Sequence, residues 1–304
     1  MSEAIGIIGA GKWGQGLRYA FAQANEDVRI TSRSPKEIPG FTTLDRVLEC
    51  PLLVIALPVQ IADAWMKTQF RYGGQEVLIA SKGIEVATGR FLNQVYEAYV
   101  PKEKLSFLSG PSFAAEVIKG LPTALVVTAQ EDAVAHAFMT RFPGFIKTYR
   151  SSDIIGSEIA GAYKNVIAIA AGVSDALGLG NNARAAMITR GLAEMTRFGV
   201  AFGAQIETFL GLSGVGDLFL TASSTLSRNY RVGFGLGSGK TLDTILKELG
   251  EVAEGVPTTG AVVAKAQEVG LYVPIAKEVQ AILEGKDPKA SLARLLERRK
   301  EEEF

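Results

Sequence analysis

Residues 5–14 read IGIIGAGKWG, and this short stretch decides the fold of the amino-terminal half. Its apolar start predicts a buried strand, and Gly9, Gly11 and Gly14 follow at the spacing G-x-G-x-x-G. Between a strand and a helix, the first glycine allows a tight turn and the second lets backbone N–H groups approach a pyrophosphate. The third permits close packing of helix on strand. The stretch therefore predicts a dinucleotide-binding β–α unit, with an ordinary glycine turn as the alternative.

Beyond this unit, apolar runs alternate with amphipathic stretches in the first half of the chain. Strands are predicted at residues 4–8, 28–30, 52–56, 77–80, 105–108 and 124–128, and helices at residues 13–24, 90–99 and 113–119. Such interleaving indicates a mostly parallel sheet that is covered on both faces. We therefore predict an α/β Rossmann-type, doubly wound amino-terminal domain over residues 1–150.

After residue 149 the strand-like runs end and long helical periods replace them. Helices are predicted at residues 155–173, 183–202, 242–248, 258–268, 275–284 and 292–302, with glycine-rich connectors at 211–216 and 233–239. Residues 298–303, RRKEEE, are typical of a solvated helix end. The pattern predicts an all-α carboxyl-terminal domain over residues 151–304.

Composition excludes several classes of function. Lys plus Arg and Asp plus Glu each number 32, so the formal net charge is zero and no global basic field would hold DNA or RNA. With 47% hydrophobic and 21% charged residues, the chain is typical of folded rather than disordered proteins. The single cysteine, Cys50, leaves no partner for an intramolecular disulfide, and the single histidine, His136, leaves no multi-histidine metal site.

Three features of the sequence bear on where in the cell the protein resides. The first residues lack the cationic region of a signal peptide, and the longest uncharged run, residues 50–62, is shorter than the roughly 20 residues that span a bilayer. A lone cysteine suits a reducing compartment. We expect a cytoplasmic protein with no membrane insertion, no metal and no nucleic-acid partner.

The end of the second predicted strand bears on the choice of dinucleotide. An NAD site usually has an acidic residue about 20 positions after the glycines, where it binds the ribose hydroxyls. Residues 30–34 read ITSRS instead, and Arg33 between two serines suits a 2′-phosphate. We predict that NADP(H) is preferred and that NAD(H) is also accepted, with an ordinary surface arginine as the alternative.

Two further loops follow predicted strands. Open α/β sheets bind ligands at the carboxyl ends of their strands, so these loops should join the glycine loop there. The first, residues 81–83, carries Lys82, which is either a ligand-facing cation or a solvated lysine at a strand end. The second, residues 109–112 (SGPS), leads into a helix whose backbone N–H groups suit an anion.

Lys164 has an unusual setting for a charged residue. On its predicted helix it shares a face with Ala160, Gly161, Ile167 and Ala168, whereas a solvated face would carry other polar groups. We predict a partly desolvated lysine beside a ligand. Desolvation lowers the pKa of a lysine and lets its amine exchange a proton near neutral pH. The alternative is a lysine that reaches solvent at a seam between the domains.

Two polar segments follow in the carboxyl-terminal half. Residues 211–217, GLSGVGD, place Asp217 at the end of a glycine loop. Residues 227–231, SRNYR, place Ser227 at a predicted helix start with Arg228 and Asn229 in the first turn, a combination that suits a phosphate. A helix cap at Asp217 and an ion pair between Arg228 and an acid are the alternatives.

Taken together, these segments resemble, in sequence and in order, the two-domain NAD-dependent glycerol-3-phosphate dehydrogenase family of bacteria. The matching segments are residues 9–14, 81–85 (SKGIE), 108–117 (LSGPSFAAEV), 161–171 (GAYKNVIAIAA), 182–195 (NARAAMITRGLAEM), 211–218 (GLSGVGDL) and 227–231 (SRNYR). The resemblance implies reversible reduction of dihydroxyacetone phosphate to sn-glycerol 3-phosphate, which supplies phospholipid synthesis. It also implies a homodimer, and the apolar stretch 183–202 would suit an interface.

The resemblance further implies roles for individual residues. Lys164 matches the family's catalytic proton donor and acceptor, with Lys82 adding charge and Asp217 positioning Lys164 or a hydroxyl. Positions that match substrate contacts are Lys82, Gly110, Ser112, Lys164, Asp217, Ser227, Arg228 and Asn229. The cofactor positions, the motif glycines included, are Gly9, Gly11, Lys12, Trp13, Gly14, Arg33, Lys82, Ala114, Arg228, Val252 and Glu254. The chain departs from the family at Thr31, where an aromatic residue is usual beside the 2′-phosphate.

Two other functions are compatible with the residues. A ketopantoate-type reductase, another two-domain NADP-dependent enzyme with a lysine in its second domain, would bind a carboxylate rather than a phosphate at Arg228. A non-catalytic NADP-binding sensor would bind the cofactor without oxidising it, although binding alone does not need a lysine in an alanine-lined helix. Activity with dihydroxyacetone phosphate or with ketopantoate distinguishes these functions.

Overall fold

The computed structural model describes residues 4–296, apart from the side chains of residues 292 and 296. The amino-terminal half forms one seven-stranded sheet. Its strands are β1 (Ile5–Ile8), β2 (Val28–Thr31), β3 (Leu52–Ile55), β4 (Glu76–Ile79), β5 (Leu105–Ser109), β6 (Thr123–Ala129) and β7 (Ile146–Ser151). Their order is β2-β1-β3-β4-β5-β6-β7, and all neighbours are parallel except β5 and β6, which are antiparallel.

Helices cover both faces of this sheet. They are α1 (Lys12–Ala22), α2 (Leu44–Leu48), α3 (Val59–Gln69), α4 (Leu92–Tyr96), α5 (Ala114–Val117) and α6 (Asp132–Met139). Because side chains alternate along a strand, Ile5 and Ile7 of β1 enter one apolar cluster and Ile8 enters the other. Both faces are therefore buried, and the predicted Rossmann-type, doubly wound fold is confirmed.

The connections place the functional loops at one edge. The chain runs from β1 to β2 on one side and then crosses to β3 on the other, so the sheet changes direction between β1 and β3. Ligands of open α/β folds bind at such a switch point, beyond the carboxyl ends of the strands. The loops after β1, β4 and β5 all lie at this edge because those strands are parallel.

The carboxyl-terminal half is helical, as predicted. Its helices are α7 (Ile154–Ala176), α8 (Gly180–Ala201), α9 (Ile206–Leu210), α10 (Asp217–Ala222), α11 (Arg228–Gly237), α12 (Leu242–Leu249), α13 (Gly255–Glu268), α14 (Pro274–Leu283) and α15 (Pro288–Leu296). Asp153 caps α7 by accepting a hydrogen bond from the Gly156 N–H at 3.0 Å. Within the described residues, α7 alone is long and apolar enough to cross a membrane, and 89% of its apolar window is buried inside the fold. It is the central helix, with α8, α10, α11 and α13 packed around it.

The predicted connector at residues 233–239 was wrong, because α11 continues to Gly237. A Cβ on Gly233 would lie 1.9 Å from the Ile169 carbonyl oxygen, and one on Gly172 would lie 2.1 Å from the Tyr230 carbonyl oxygen. The glycines therefore let α7 and α11 pack backbone against backbone. Their spacing resembles that of a loop, but it reflects close helix contact.

Other segments differ from the prediction in smaller ways. Strand β7 and helices α2, α3 and α6 were not predicted, and β7 extends the sheet to Ser151, just past the expected end of strand-like sequence. The expected connector at 211–216 contains a π-helical turn, Leu212–Gly216, that leads into α10. The predicted helix at 292–302 begins earlier, at Pro288; its residues 297–302, like the tail 298–303, lie outside the described residues.

Candidate active site

The glycine loop leaves open space in front of α1. Gly9 has a φ of +107°, which favours glycine, and a Cβ on Gly14 would lie 1.8 Å from the Gly9 carbonyl oxygen. A Cβ on Gly11, by contrast, would meet nothing within 4 Å. Gly11 also caps α1 without a side chain, so the first N–H groups of the helix are available to an anion. This arrangement fits the pyrophosphate of a dinucleotide.

The end of β2 adds positive charge next to this loop. Arg33 is exposed in the turn after β2. Lys36, which the sequence analysis missed, donates a hydrogen bond of 2.7 Å to the Ala10 carbonyl oxygen. Thr31 is buried in β2, so it presents no surface for stacking at the position where an aromatic residue is usual. Lys36 lies in an exposed, irregular stretch without a motif, which is why no sequence pattern indicated it.

On the other side of α1, Ala114 of α5 packs against the helix. A Cβ on Gly16 would lie 3.5 Å from Ala114. Trp13 is partly buried and packs against the sheet cluster that contains Leu17. The two predicted cofactor residues Trp13 and Ala114 are thus part of, or next to, the helix that opens the glycine loop.

Three predicted residues from distant parts of the chain meet at the seam between the two halves. The Lys164 ammonium donates to Oδ1 of Asp217 and, at 3.0 Å, to the Thr221 hydroxyl. The Lys82 ammonium lies 2.6 Å from Oδ2 of Asp217 and 3.4 Å from the Gly110 carbonyl oxygen. One carboxylate therefore holds two ammonium groups side by side. Thr221, one helical turn after Asp217, was missed because a lone threonine in an apolar helix carries no signal.

Burial controls the charge state of this cluster. Lys164 and Asp217 are 7% and 1% exposed. Burial lowers the pKa of Lys164 to about 7, because the attraction of Asp217 only partly offsets desolvation and Lys82 repels the ammonium. Burial would raise the pKa of Asp217, but the ammonium groups of Lys164 and Lys82 outweigh it and lower that pKa below its ordinary value. At neutral pH the Lys164 amine is therefore poised to accept or donate a proton.

Local features explain why these side chains converge. Gly161 on α7 leaves room for the Lys82 stem, since a Cβ there would lie 3.3 Å from Lys82 Cγ. The π-helical turn ends where α10 begins, at Asp217. The hydroxyls of Ser109 and Ser213 are 2.7 Å apart and tie the loop after β5 to this turn. In the same loop, the hydroxyl of Ser112 donates to the Gly110 carbonyl oxygen at 3.3 Å.

The predicted phosphate segment forms the start of α11. The Ser227 hydroxyl accepts a hydrogen bond of 3.2 Å from the Tyr230 N–H and so caps the helix, as expected. Asn229 is buried: its amide donates to Asn165 at 2.8 Å and accepts from the Gly255 N–H at 2.9 Å. Because Asn165 follows Lys164, this network connects the helix start to the buried lysine.

An acidic residue that the sequence did not indicate joins the two halves at the rim. Glu251 accepts from Lys12 of the glycine loop and, at 3.4 Å, from Arg228. The hydrogen bond from Lys12 is the main cause that lowers the pKa of Glu251. Nearby, Val252 is 52% exposed, while Glu254 is partly buried and its Oε2 has no hydrogen-bond partner. Burial raises the pKa of Glu254 to about 7, although Arg228 opposes the shift.

Among residues 4–296, no group of three or more His, Cys, Asp or Glu side chains could hold a metal ion. The polar groups at the seam are instead two lysines, an aspartate and hydroxyls. A nucleotide-binding sheet with a buried lysine in an appended helical domain defines a two-domain dehydrogenase that uses a nicotinamide dinucleotide.

Comparisons with known proteins identify the family. The family model for the NAD-dependent glycerol-3-phosphate dehydrogenase carboxyl terminus matches residues 153–293, and the model for its amino terminus matches residues 35–135. Residues 4–46 match the model of the coenzyme F420-dependent NADP oxidoreductases. The chain is 55% identical to glycerol-3-phosphate dehydrogenase [NAD(P)+] of Sulfurimonas denitrificans over 96% of this chain and 98% of that one. The chain belongs to the NAD-dependent glycerol-3-phosphate dehydrogenase family.

Solved structures agree with this assignment. Glycerol-3-phosphate dehydrogenase from Coxiella burnetii has a TM-score of 0.92 and 32% identity, covering 98% of this chain and 99% of that one. A dimeric ketopantoate reductase from Staphylococcus aureus has a TM-score of 0.53 and 14% identity, covering 93% of this chain and 100% of that one. The second likeness concerns the fold alone.

Proposed function

We propose that this protein catalyses the NAD(P)H-dependent reduction of dihydroxyacetone phosphate to sn-glycerol 3-phosphate, and the reverse oxidation. The buried contact of Lys164 with Asp217 carries the proposal, because reduction of a ketone needs a proton donor beside the reacting carbonyl. Family membership supports the substrate, since relatives over the full length carry the name glycerol-3-phosphate dehydrogenase [NAD(P)+].

In this proposal Lys164 is the general acid of the reduction. A nicotinamide cofactor held at the glycine loop would supply the hydride for the ketone carbon. The carbonyl oxygen then becomes an alkoxide, and the Lys164 ammonium gives it a proton. In the reverse direction the neutral amine of Lys164 takes the hydroxyl proton, which its pKa of about 7 permits near neutral pH.

Lys82 and Asp217 would support that proton transfer. Lys82 adds a second positive charge beside the developing alkoxide, in a partly buried setting where a charge acts more strongly than in water. Asp217 holds both ammonium groups, so their positions are set before the substrate binds. The cost of burying the carboxylate is offset because it has two cationic partners.

Both halves of the chain would contribute to binding, and some residues of each half would reach the ligand held mainly by the other. Residues 1–150 would hold the dinucleotide at Gly9, Gly11 and Gly14, with the 2′-phosphate of NADP(H) beside Arg33. Residues 151–304 would hold the substrate. Its phosphate would meet Ser227, Arg228 and Asn229, together with the loop that carries Gly110 and Ser112. The remaining proposed cofactor contacts are Lys12, Trp13, Lys82, Ala114, Arg228, Val252 and Glu254.

The direct test is NADPH oxidation by the purified protein with dihydroxyacetone phosphate, repeated with NADH and with ketopantoate. We expect turnover with the phosphorylated ketone, little with ketopantoate, and faster turnover with NADPH than with NADH. Turnover with ketopantoate alone would favour the reductase alternative. Tight NADPH binding without oxidation of any of these substrates would favour the sensor.

We further propose that the protein is a cytoplasmic homodimer. Helix α8 supports this, because only five of its residues are buried and Val200 near its end is 45% exposed. The buried thiol of the single cysteine, Cys50, suits a reducing compartment. Sedimentation analysis of the purified protein measures the oligomeric state. A monomer at micromolar concentration would contradict the proposed homodimer.

A further inference from the structure

Glu158 of α7 is a buried carboxyl group that the proposed mechanism does not use. It lies six positions before Lys164 on the same helix and is 5% exposed. Oε1 accepts a hydrogen bond of 2.7 Å from the Asn93 N–H at the start of α4. Oε2 is buried and has no hydrogen-bond partner. Leaving a buried oxygen without a hydrogen bond destabilises the fold, so a partner for Oε2 is expected.

Glu158 lines a small cavity between the sheet and α7. The cavity has a volume of about 10 Å³. Its polar lining residues are Ser81, Lys82, Ser109, Ser157 and Glu158, and its apolar ones are Leu92, Phe107 and Leu108. A polar cavity of about 10–15 Å³ is the smallest that holds one water molecule, which needs two to four polar partners. The lining meets both conditions.

The hydrogen bonds around the cavity define what such a water would meet. Burial raises the pKa of Glu158 well above its ordinary value, which favours the neutral acid over the carboxylate. Since Oε1 accepts from Asn93, the proton of the neutral acid belongs on Oε2, which then acts as a donor. The water that accepts this bond has two protons to donate in turn.

The serine hydroxyls of the lining can accept those protons. Ser109 and Ser157 share hydrogen bonds with Ser213 and Thr128, at 2.7 and 2.8 Å, and Ser81 donates to the Leu57 carbonyl oxygen. A hydroxyl that donates one hydrogen bond still has oxygen lone pairs that accept another. The cavity therefore offers hydroxyl acceptors in addition to Glu158.

Lys82 connects the cavity to the reacting groups. It follows Ser81 in the chain and lines the cavity, while its ammonium lies 2.6 Å from Asp217. Anything that orders Ser81 therefore also orders the backbone from which Lys82 extends. We propose that one buried water bridges Oε2 of Glu158 to the serine hydroxyls of this cavity, and that Glu158 is a positioning residue for Lys82. The proposal rests on the role proposed above for Lys82.

Two substitutions at Glu158 separate positioning from mere packing. Glu158→Gln keeps an oxygen for the Asn93 N–H and directs a donor at the cavity, so kcat should stay within about threefold of the parent. Glu158→Leu removes both bonds, so kcat with dihydroxyacetone phosphate should fall by about tenfold to a hundredfold, as for a displaced functional group. For Glu158→Gln the Kd for NADPH should equal that of the parent, because Lys82, one of the proposed cofactor contacts, keeps its position.

A matched control comes from Glu194, another buried glutamate of the helical half. Both oxygens of Glu194 are used, by Tyr163, Ile275 and Ala276. In Glu194→Gln the new amide NH₂ faces a backbone N–H, and two donors cannot form a hydrogen bond. This variant should therefore lower the unfolding midpoint while kcat per folded molecule is retained. Loss of a buried carboxylate and loss of positioning thereby give different readouts.

The outcomes are distinct. Failure of the parent protein to reduce dihydroxyacetone phosphate would contradict the proposed function rather than the role of Glu158. If the parent is active, Glu158→Leu with the parent's kcat overturns the positioning role, as does Glu158→Gln with a loss equal to that of Glu158→Leu. A high-resolution crystal structure of the parent should show one water bonded to Oε2 of Glu158, and a dry cavity would overturn the water bridge.

Discussion

The buried centre and the exposed rim of this site hold their charges in opposite ways. At the centre Asp217 is 1% exposed and lies between Lys164 and Lys82, so its partners are set by the packing of two domains. At the rim the side chains of Lys12 and Arg228 are 75% and 44% exposed, and Glu251 bridges them. Exposed ion pairs are worth about 0–1 kcal/mol and are screened by salt. A charged ligand can therefore displace Glu251 at a small cost in free energy. The side chains of the centre, in contrast, are held in place before any ligand binds.

Removing the buried amine tests the centre most severely. In Lys164→Ala we expect turnover to fall by about 10²–10⁴-fold, the usual contribution of a positioned general acid. The Kd for NADPH should change little, because the glycine loop is untouched. NADPH absorbance gives the turnover and fluorescence titration gives the Kd. Lys240→Ala, at a surface ion pair of the same half, is the matched control and should retain turnover. Near-normal turnover of Lys164→Ala would end its assignment as proton donor.

Neutralising one acid in each region compares how much the two acids contribute to the free energy of unfolding. Asp217→Asn leaves the buried ammonium of Lys164 and the partly buried ammonium of Lys82 without a counter-charge, and should lower the free energy of unfolding by about 3–5 kcal/mol. Glu251→Gln breaks two exposed ion pairs and should lower it by less than about 1 kcal/mol. Urea denaturation of both variants measures the difference. Equal losses would show that burial does not distinguish the two regions.

The pH dependence tests the charge state of the centre. Reduction needs protonated Lys164, and the protonated fraction falls as pH rises through its pKa of about 7. We therefore expect kcat/KM for reduction to decline above pH 7, by up to about tenfold per pH unit, and kcat/KM for oxidation to rise with pH through the same range. Initial rates in both directions across pH measure this. A flat profile in both directions would contradict a titrating lysine.

The smallest effect is expected at Arg33, which is exposed like the side chains of the rim. Arg33→Ala should reduce the ratio of kcat/KM for NADPH to that for NADH by about fivefold, since an exposed charge contributes about 1 kcal/mol. Lys36→Ala should act in the same direction if its ammonium also faces the 2′-phosphate. Arg71→Ala, a surface arginine on another loop, is the control for general charge loss. An unchanged ratio in Arg33→Ala would refute the proposed basis of NADP(H) preference.

Local sequence predicted much of the fold. The strands β1 to β6 have apolar runs because both faces of the sheet are buried. The glycine motif could be recognised because it and its preceding strand lie within ten consecutive residues. Strand β7 was missed because only its first residue, Ile146, is buried, so its sequence IKTYRS lacks an apolar run. The interior of α11 was missed because its glycines serve contact with α7 rather than a turn.

The candidate site likewise has residues that local sequence predicted and residues that it did not. Ser227 was recognised as a cap because capping depends on its own helix, and Lys164 stood out because its neighbours are small and apolar. Glu251, Lys36 and Thr221 carry no pattern, since each acts through a partner far away in the chain. Long-range partners of this kind are determined by packing, which residue spacing does not encode.

Local periodicity and motifs were enough to recognise the nucleotide-binding unit, the change from strands to helices near residue 150, and the family. The tertiary structure decided which charges meet. Packing brings Lys82, Lys164 and Asp217 from three separate segments to one seam, where Lys164 and Asp217 are buried and Lys82 is partly buried. Since desolvation and opposite charge set a pKa, only that burial gives the lysine of α7 a pKa of about 7.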